Sequence, residues 1–177
     1  SLGPSLLRKY SMTSRTIIIF SSFLLLVSGA TSASNFPVAD GVVIDKSDRV
    51  LYLLDDGEII RTFKVALGMR PAGDKEREGD QKTPEGSYRL DTRNPNSDFF
   101  LSIHVSYPDA SDRAAANAKG VPPGGAIMIH GQPNDPSRSE AYYKTQDWTN
   151  GCIAVSNSDM IDIWLMTGDN TPIEIRP

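Results

Sequence analysis

Cysteine, histidine and tryptophan are nearly missing from this chain: 177 residues hold one Cys, two His and two Trp. A lone cysteine excludes an internal disulfide and any zinc site built on paired cysteines. Cations are scarce too, with 18 Lys and Arg against 22 Asp and Glu, a net charge of −4. A chain of that sign shows no electrostatic footprint for nucleic acid. The longest apolar run, Ile17 to Val27, is broken by Ser21 and Ser22. It is too short for a comfortable membrane span, so none is expected in the mature chain. Repeats, low-complexity tracts and a second domain are also lacking, and the length suits one domain.

What is present at the N-terminus reads as a secretory signal. Arg8, Lys9 and Arg15 precede the apolar run, and Ser28-Gly29-Ala30 and Thr31-Ser32-Ala33 follow it as small-residue cleavage sites. Residues 1–35 are therefore expected to be a signal peptide and lead-in, and 36–177 the folded domain. No cysteine follows the run directly, which excludes lipid attachment there. Without the three leader cations, 15 Lys and Arg face 22 Asp and Glu, a net of −7. Export predicts a periplasmic protein. It also changes the meaning of the odd cysteine, which in an exported chain is either paired between molecules or a functional thiol.

The mature chain reads as mainly β. Strands are expected at Gly41–Ile44, Val50–Leu54 and Glu58–Leu67, with Asp55-Asp56-Gly57 as a hairpin turn. Residues 68–82 are polar and make a loop. Thr83-Pro84-Glu85-Gly86 reads as a turn. Further strands follow at Ser87–Arg93, ended by Asn94-Pro95-Asn96, and at Phe99–Val105. Residues 109–119 form a short helix. Ala126–Ile129 is a strand that delivers His130, and Ser139–Lys144 allows a turn of helix. Ile153–Val155 is a strand. Ser156 or Asn157 then caps a helix with Met160, Ile161, Trp164 and Leu165 on one face, ended by Gly168. Pro172–Arg176 closes the chain.

Cys152 stands between a polar turn, Thr149-Asn150-Gly151, and the apolar Ile153–Val155. A thiol at such a junction sits beside fixed backbone N–H groups, which suits a nucleophile and the oxyanion it creates. The plain alternative is a buried cysteine acting as a small hydrophobe. A thiol nucleophile needs a base, and His130, at the end of its strand before Gly131, can supply one. No acid adjoins His130, so a backbone carbonyl is the expected partner of its second nitrogen. A zinc site of His104, His130 and Cys152 fits the residue types only. No two of them show short ligand spacing, so neither metal nor cofactor is expected.

The ordered set Ile129-His130-Gly131, then Thr149-Asn150-Gly151-Cys152-Ile153-Ala154-Val155-Ser156-Asn157, resembles the L,D-transpeptidase (YkuD-type) catalytic domain family. Thr83-Pro84-Glu85-Gly86, Gly124-Gly125 and Thr171-Pro172-Ile173-Glu174-Ile175 are similar to family features as well. The resemblance runs from about Gly41 to the C-terminus. It implies a β-sandwich of mixed strands with one helix in the C-terminal region and one or two short ones. It implies action on peptidoglycan stem peptides. The cysteine attacks the carbonyl between a diamino acid and a terminal D-alanine, D-alanine leaves, and an amine on a second stem or a wall-anchored protein resolves the thioester. Carried over, Cys152 is the nucleophile, His130 the base, and the Gly131 carbonyl its orienter. Backbone N–H groups around Asn150, Gly151 and Cys152 bind the oxyanion. Substrate contacts are expected at His104, Tyr107, Arg113 and Thr149.

Two positions depart from the family pattern. Asn150 replaces a common histidine and cannot titrate. Ala154 replaces a common arginine, removing a cation for a substrate carboxylate. Ser106-Tyr107-Pro108 and Asp112-Arg113 resemble a branch that includes peptidoglycan–lipoprotein cleaving enzymes. Hydrolysis, as an L,D-carboxypeptidase or such an amidase, is therefore the rival to transfer. A non-catalytic wall-binding module is the other rival.

Overall fold

Three segments rich in β-branched and leucine residues lie close together in the chain and pair locally. The computed structural model describes residues 37–177; the signal peptide expected at 1–35 lies outside them. β1 (Gly41–Asp45), β2 (Val50–Asp55) and β3 (Glu58–Lys64) form an antiparallel meander. Asp56 and Gly57 turn the second hairpin with φ of 50° and 80°, the left-handed pair that matches the twist of the strands.

Five more strands complete the sheet: β4 (Gly86–Ser97), β5 (Phe100–Val105), β6 (Met128–His130), β7 (Ile153–Ala154) and β8 (Thr171–Arg176). The spatial order is β3-β2-β1-β8-β4-β5-β6-β7. Pairing is mixed, with β1–β8 and β6–β7 parallel. The two ends of this order meet. Ala66, just past β3, exchanges two 2.8 Å backbone hydrogen bonds with Ala154 of β7. The sheet thus curls over on itself, and its inward residues, from Ile44 and Leu53 to Ile129 and Ile153, share one core. This is the mainly β, sandwich-like arrangement expected from the sequence.

Three helices accompany the sheet among the described residues: α1 (Ala110–Ala118), α2 (Glu140–Thr145) and α3 (Asn157–Met166). Asp109 and Asp112 form a reciprocal capping box on α1, and Ser139 and Ser156 cap α2 and α3. α3 packs against β5.

Four local readings change. Thr83-Pro84-Glu85 forms no turn and leads directly into β4. Thr83 is fully buried, its hydroxyl accepting the Gly68 N–H at 3.0 Å. β4 continues through Asn94-Pro95-Asn96, because the register shifts between Asn94 and Ser97 and Pro95 owes no ladder hydrogen bond there. The helix after Ser156 ends at Met166, with Thr167 as its C-cap, two residues before Gly168. Its buried face is Met160, Ile163 and Met166, while Ile161 and Leu165 are 44% and 54% exposed. Both stripes have helical spacing, and packing on the sheet selects one of them. Trp164 is half-buried with the Arg93 guanidinium 4.9 Å above its ring. Ile163→Ala is expected to cost about 2–5 kcal/mol and Leu165→Ala under about 1 kcal/mol, read from denaturant midpoints.

Candidate active site

Strand alternation brings the two candidate catalytic side chains to one face. Ile129 pairs with Ile153, and His130 with Ala154, in the parallel β6–β7 ladder. Ile129 and Ile153 are fully buried in the core. A period of two turns His130 and Cys152 to the other face, on diagonally neighbouring positions. Both line a cleft of about 490 Å³, with Phe99, Ala126, Trp148 and Asn150 among its walls. A larger cavity of about 720 Å³ lies between α2, α3 and the end of β3, but neither Cys152 nor His130 lines it. The chemistry selects the smaller one.

His130 is 4% exposed. Its Nδ1 lies 2.7 Å from the Gly131 carbonyl oxygen, which can only accept, so Nδ1 carries the proton and Nε2 is left as the basic nitrogen. Phe99 lays its ring 4.6 Å from the imidazole, and Trp148 meets it edge-on at 5.6 Å. Burial pushes the imidazole below its ordinary value, and the Gly131 contact works against that without overcoming it. The cleft therefore holds a neutral imidazole.

Cys152 is half-buried. Burial raises its thiol, while the Met128 N–H and the Lys75 ammonium pull the other way. Its Sγ lies 3.5 Å from the Ala126 carbonyl. Ala126 has φ of 53°, a strained position for a residue with a Cβ, beside Gly124 at 79°. With both shifts favouring the uncharged forms, the resting pair is thiol and imidazole.

The turn before Cys152 is held by Thr149. Its hydroxyl accepts the Gly151 N–H at 3.1 Å and donates to the Cys152 carbonyl at 2.8 Å. That engages one expected oxyanion donor. The N–H groups of Asn150 and Cys152 carry no hydrogen bond among the described residues. Gly151 has φ of 130°, and a Cβ there would sit 2.6 Å from the Lys82 carbonyl oxygen. Glycine is thus required by backbone and by space. Behind the turn, Asp147 accepts hydrogen bonds from Arg49 Nε at 3.0 Å and the Leu67 N–H at 2.9 Å.

Other expected contacts fall elsewhere. Thr149 lines the cleft but is buried, its hydroxyl occupied as described. His104 sits on β5 with Nδ1 2.7 Å from Asp91 and does not line the cleft. Tyr107 is 2% exposed, its hydroxyl donating to the Pro123 carbonyl at 2.8 Å. Arg113 is on the exposed side of α1 and also outside the cleft lining. No group of three or more His, Cys, Asp or Glu that could hold a metal occurs among the described residues.

Sequence reasoning missed several residues that hold the site. Phe99 and Trp148 enclose the imidazole, and only Trp148 lies within the cysteine stretch. Asn157 Oδ1 accepts the Gln132 N–H at 2.7 Å, fixing the chain just past Gly131. A Cβ on Gly131 would come within 2.6 Å of that oxygen and 3.0 Å of Phe100 Cβ. Gly131→Ala should therefore destabilise the fold by about 1–3 kcal/mol and slow turnover of the folded fraction, as seen by thermal melts and rates measured together. Unchanged values for both would contradict this account of the loop.

Known proteins resemble this chain in sequence and in fold. YafK of Escherichia coli (strain K12) is 30% identical over 96 residues, covering 51% of this chain and 37% of its own. The helical cell shape determining protein Pgp2 from Campylobacter jejuni matches in structure with a TM-score of 0.57 and 30% identity, over 76% of this chain and 46% of its own. The chain thus spans less than half the length of either relative. An L,D-transpeptidase from Xylanimonas cellulosilytica, 18% identical over 79% of this chain and 61% of its own, shares the fold with a TM-score of 0.52. No helix among the described residues is long and apolar enough to cross a membrane. The eight-stranded mixed sheet has counterparts in these structures, and residues 39–175 match the YkuD L,D-transpeptidase catalytic domain, so this chain belongs to that family.

Proposed function

We propose that this protein is an exported cysteine acyltransferase acting on peptidoglycan stem peptides. The observation that carries the reading is the parallel pairing of β6 with β7. It brings His130 and Cys152 into one cleft, with Nδ1 tied to Gly131 and Nε2 free to act. Cys152 Sγ attacks the carbonyl that joins the diamino acid to the terminal D-alanine, and its proton passes to His130 Nε2. The negative oxygen is met by the N–H groups of Asn150 and Cys152. The C–N bond breaks, D-alanine leaves with the proton from Nε2, and a thioester remains. An amine on a second stem peptide, or on a wall-attached protein, attacks the thioester, gives up a proton to Nε2 and restores the thiol.

Water in place of that amine would give a hydrolase by the same first half-reaction. Asn150 orients rather than titrates. Ala154 is 1% exposed and held in the Ala66–Ala154 bridge, so the cation common at that position has no counterpart there. The test is incubation of the protein with tetrapeptide muropeptides, followed by mass analysis. A cross-linked dimer with D-alanine release supports transfer. A trimmed monomer transfers the reading to hydrolysis. No change in the muropeptides rejects both.

A further inference from the structure

The cleft around Cys152 carries one charged residue in its lining, Asp98; the other polar walls are Ser, Thr and Asn side chains and the imidazole. With His130 held neutral by burial, Asp98 is the one charged group in the cleft's lining, while the Lys75 ammonium acts on Cys152 from outside it. A carboxylate in that wall suits a cationic group of the substrate.

Asp98 is presented by a turn that does not need its carboxylate. Its backbone carbonyl accepts the Asn134 N–H at 2.9 Å. The Asn134 side chain accepts the Phe100 N–H at 3.0 Å and donates to the Ser97 carbonyl at 2.9 Å. The Phe99 N–H donates to Ser97 Oγ at 3.1 Å. Asp98 itself is exposed. β5 and β7 lie on opposite flanks of β6, and His130 is opposite Ser102 of one and Ala154 of the other, so Asp98 lies past the C-terminal end of β6 beside Asn134 while Cys152 is level with Met128. Phe99 fills the interval with its ring against the imidazole. Asp98, Phe99 and Cys152 line the same cleft, so the part of a substrate suited to meet Asp98 is the end of a long side chain on the acyl residue.

We infer that Asp98 is a specificity residue that accepts hydrogen bonds from the side-chain ammonium of the acyl-donating diamino acid. This rests on the stem-peptide reading above and names the part of the substrate that the site reads. The chain then selects stems whose side-chain amine is free. A stem whose amine is already acylated brings a neutral amide to an anion whose hydration the substrate displaces, and it is rejected. A charge-assisted hydrogen bond of this kind supports discrimination of about ten- to a hundredfold.

The experiment compares D-alanine release by the full chain from a tetrapeptide muropeptide and from the same molecule acetylated on that amine. Wild type should prefer the free amine by about tenfold or more in kcat/KM. Asp98→Asn should bring the ratio towards one, mainly by raising KM for the free amine, and Asp98→Glu should recover part of the preference. Equal use of both substrates by wild type, or an unchanged ratio in Asp98→Asn, overturns the inference while leaving the stem-peptide reading in place. Release from neither substrate overturns both. Because backbone groups and Asn134 hold the turn, unfolding midpoints of the variants should match wild type, which separates recognition from misfolding.

Discussion

Cys152→Ala is expected to remove D-alanine release from tetrapeptide muropeptides, with a loss of about a thousandfold or more in kcat. The side chain is half-buried and its backbone is fixed by Thr149. Removing Sγ leaves those hydrogen bonds intact, so the variant should fold with a stability within about 1 kcal/mol of wild type. No other thiol exists in the chain to replace it. Cys152→Ala that still releases D-alanine or still cross-links would remove the thioester route altogether.

His130→Gln is expected to lower kcat by about a hundred- to ten-thousandfold, because the thiol it serves is held in its neutral form by burial. Glutamine can keep a hydrogen bond to the Gly131 carbonyl but cannot accept a proton at neutral pH. The same residue sets a pH signature. The folded-state value of His130 lies below the ordinary imidazole value of about 6.5. Between those two values the unfolded chain binds more protons than the native one, so stability rises with pH. His130 thus contributes stability that is fully present above about pH 6.5 and is lost as pH falls through its lowered folded value. Wild-type activity should fall in the same acid range, since a protonated imidazole cannot act as base. Denaturant midpoints of wild type and His130→Gln measured from neutral pH downwards should converge. Parallel curves would mean that the imidazole is not buried neutral.

The strands and helices were largely legible because their signals are local, whereas the mixed pairing came only with the family resemblance, since β1–β8 and β6–β7 join distant segments. β-branched runs, the Asp56-Gly57 turn and the serine cap at 156 each act within a few residues. Where local signals tied, the sequence could not decide. α3 carries two apolar stripes, and only the packing of the sheet beneath it determines that Ile163, not Ile161, is buried. Pro95 looked like a strand end, but an extra residue in β4 itself, where its register with β5 shifts, accommodates it.

The site follows the same division. His130 and Cys152 were recognisable from their flanking residues. Phe99 was not, because its contact with the imidazole depends on β5 lying beside β6. The competition between Thr149 and an oxyanion for the Gly151 N–H was also hidden, since a hydroxyl rotamer decides it. Tyr107 shows the opposite error. It stood near suggestive residues in the chain, yet its ring lies in the core edge-on to Tyr88 at 6.0 Å.

The reading stands or falls on whether the lone sulfur is made nucleophilic by an imidazole twenty-two positions earlier. The rate at which a carbapenem acylates the protein, followed by intact mass and peptide mapping, measures this most directly. We expect a single adduct on the peptide containing Cys152, forming about a hundredfold or more slowly in His130→Gln. Equal rates in the two proteins, or an adduct on any other residue, would contradict it.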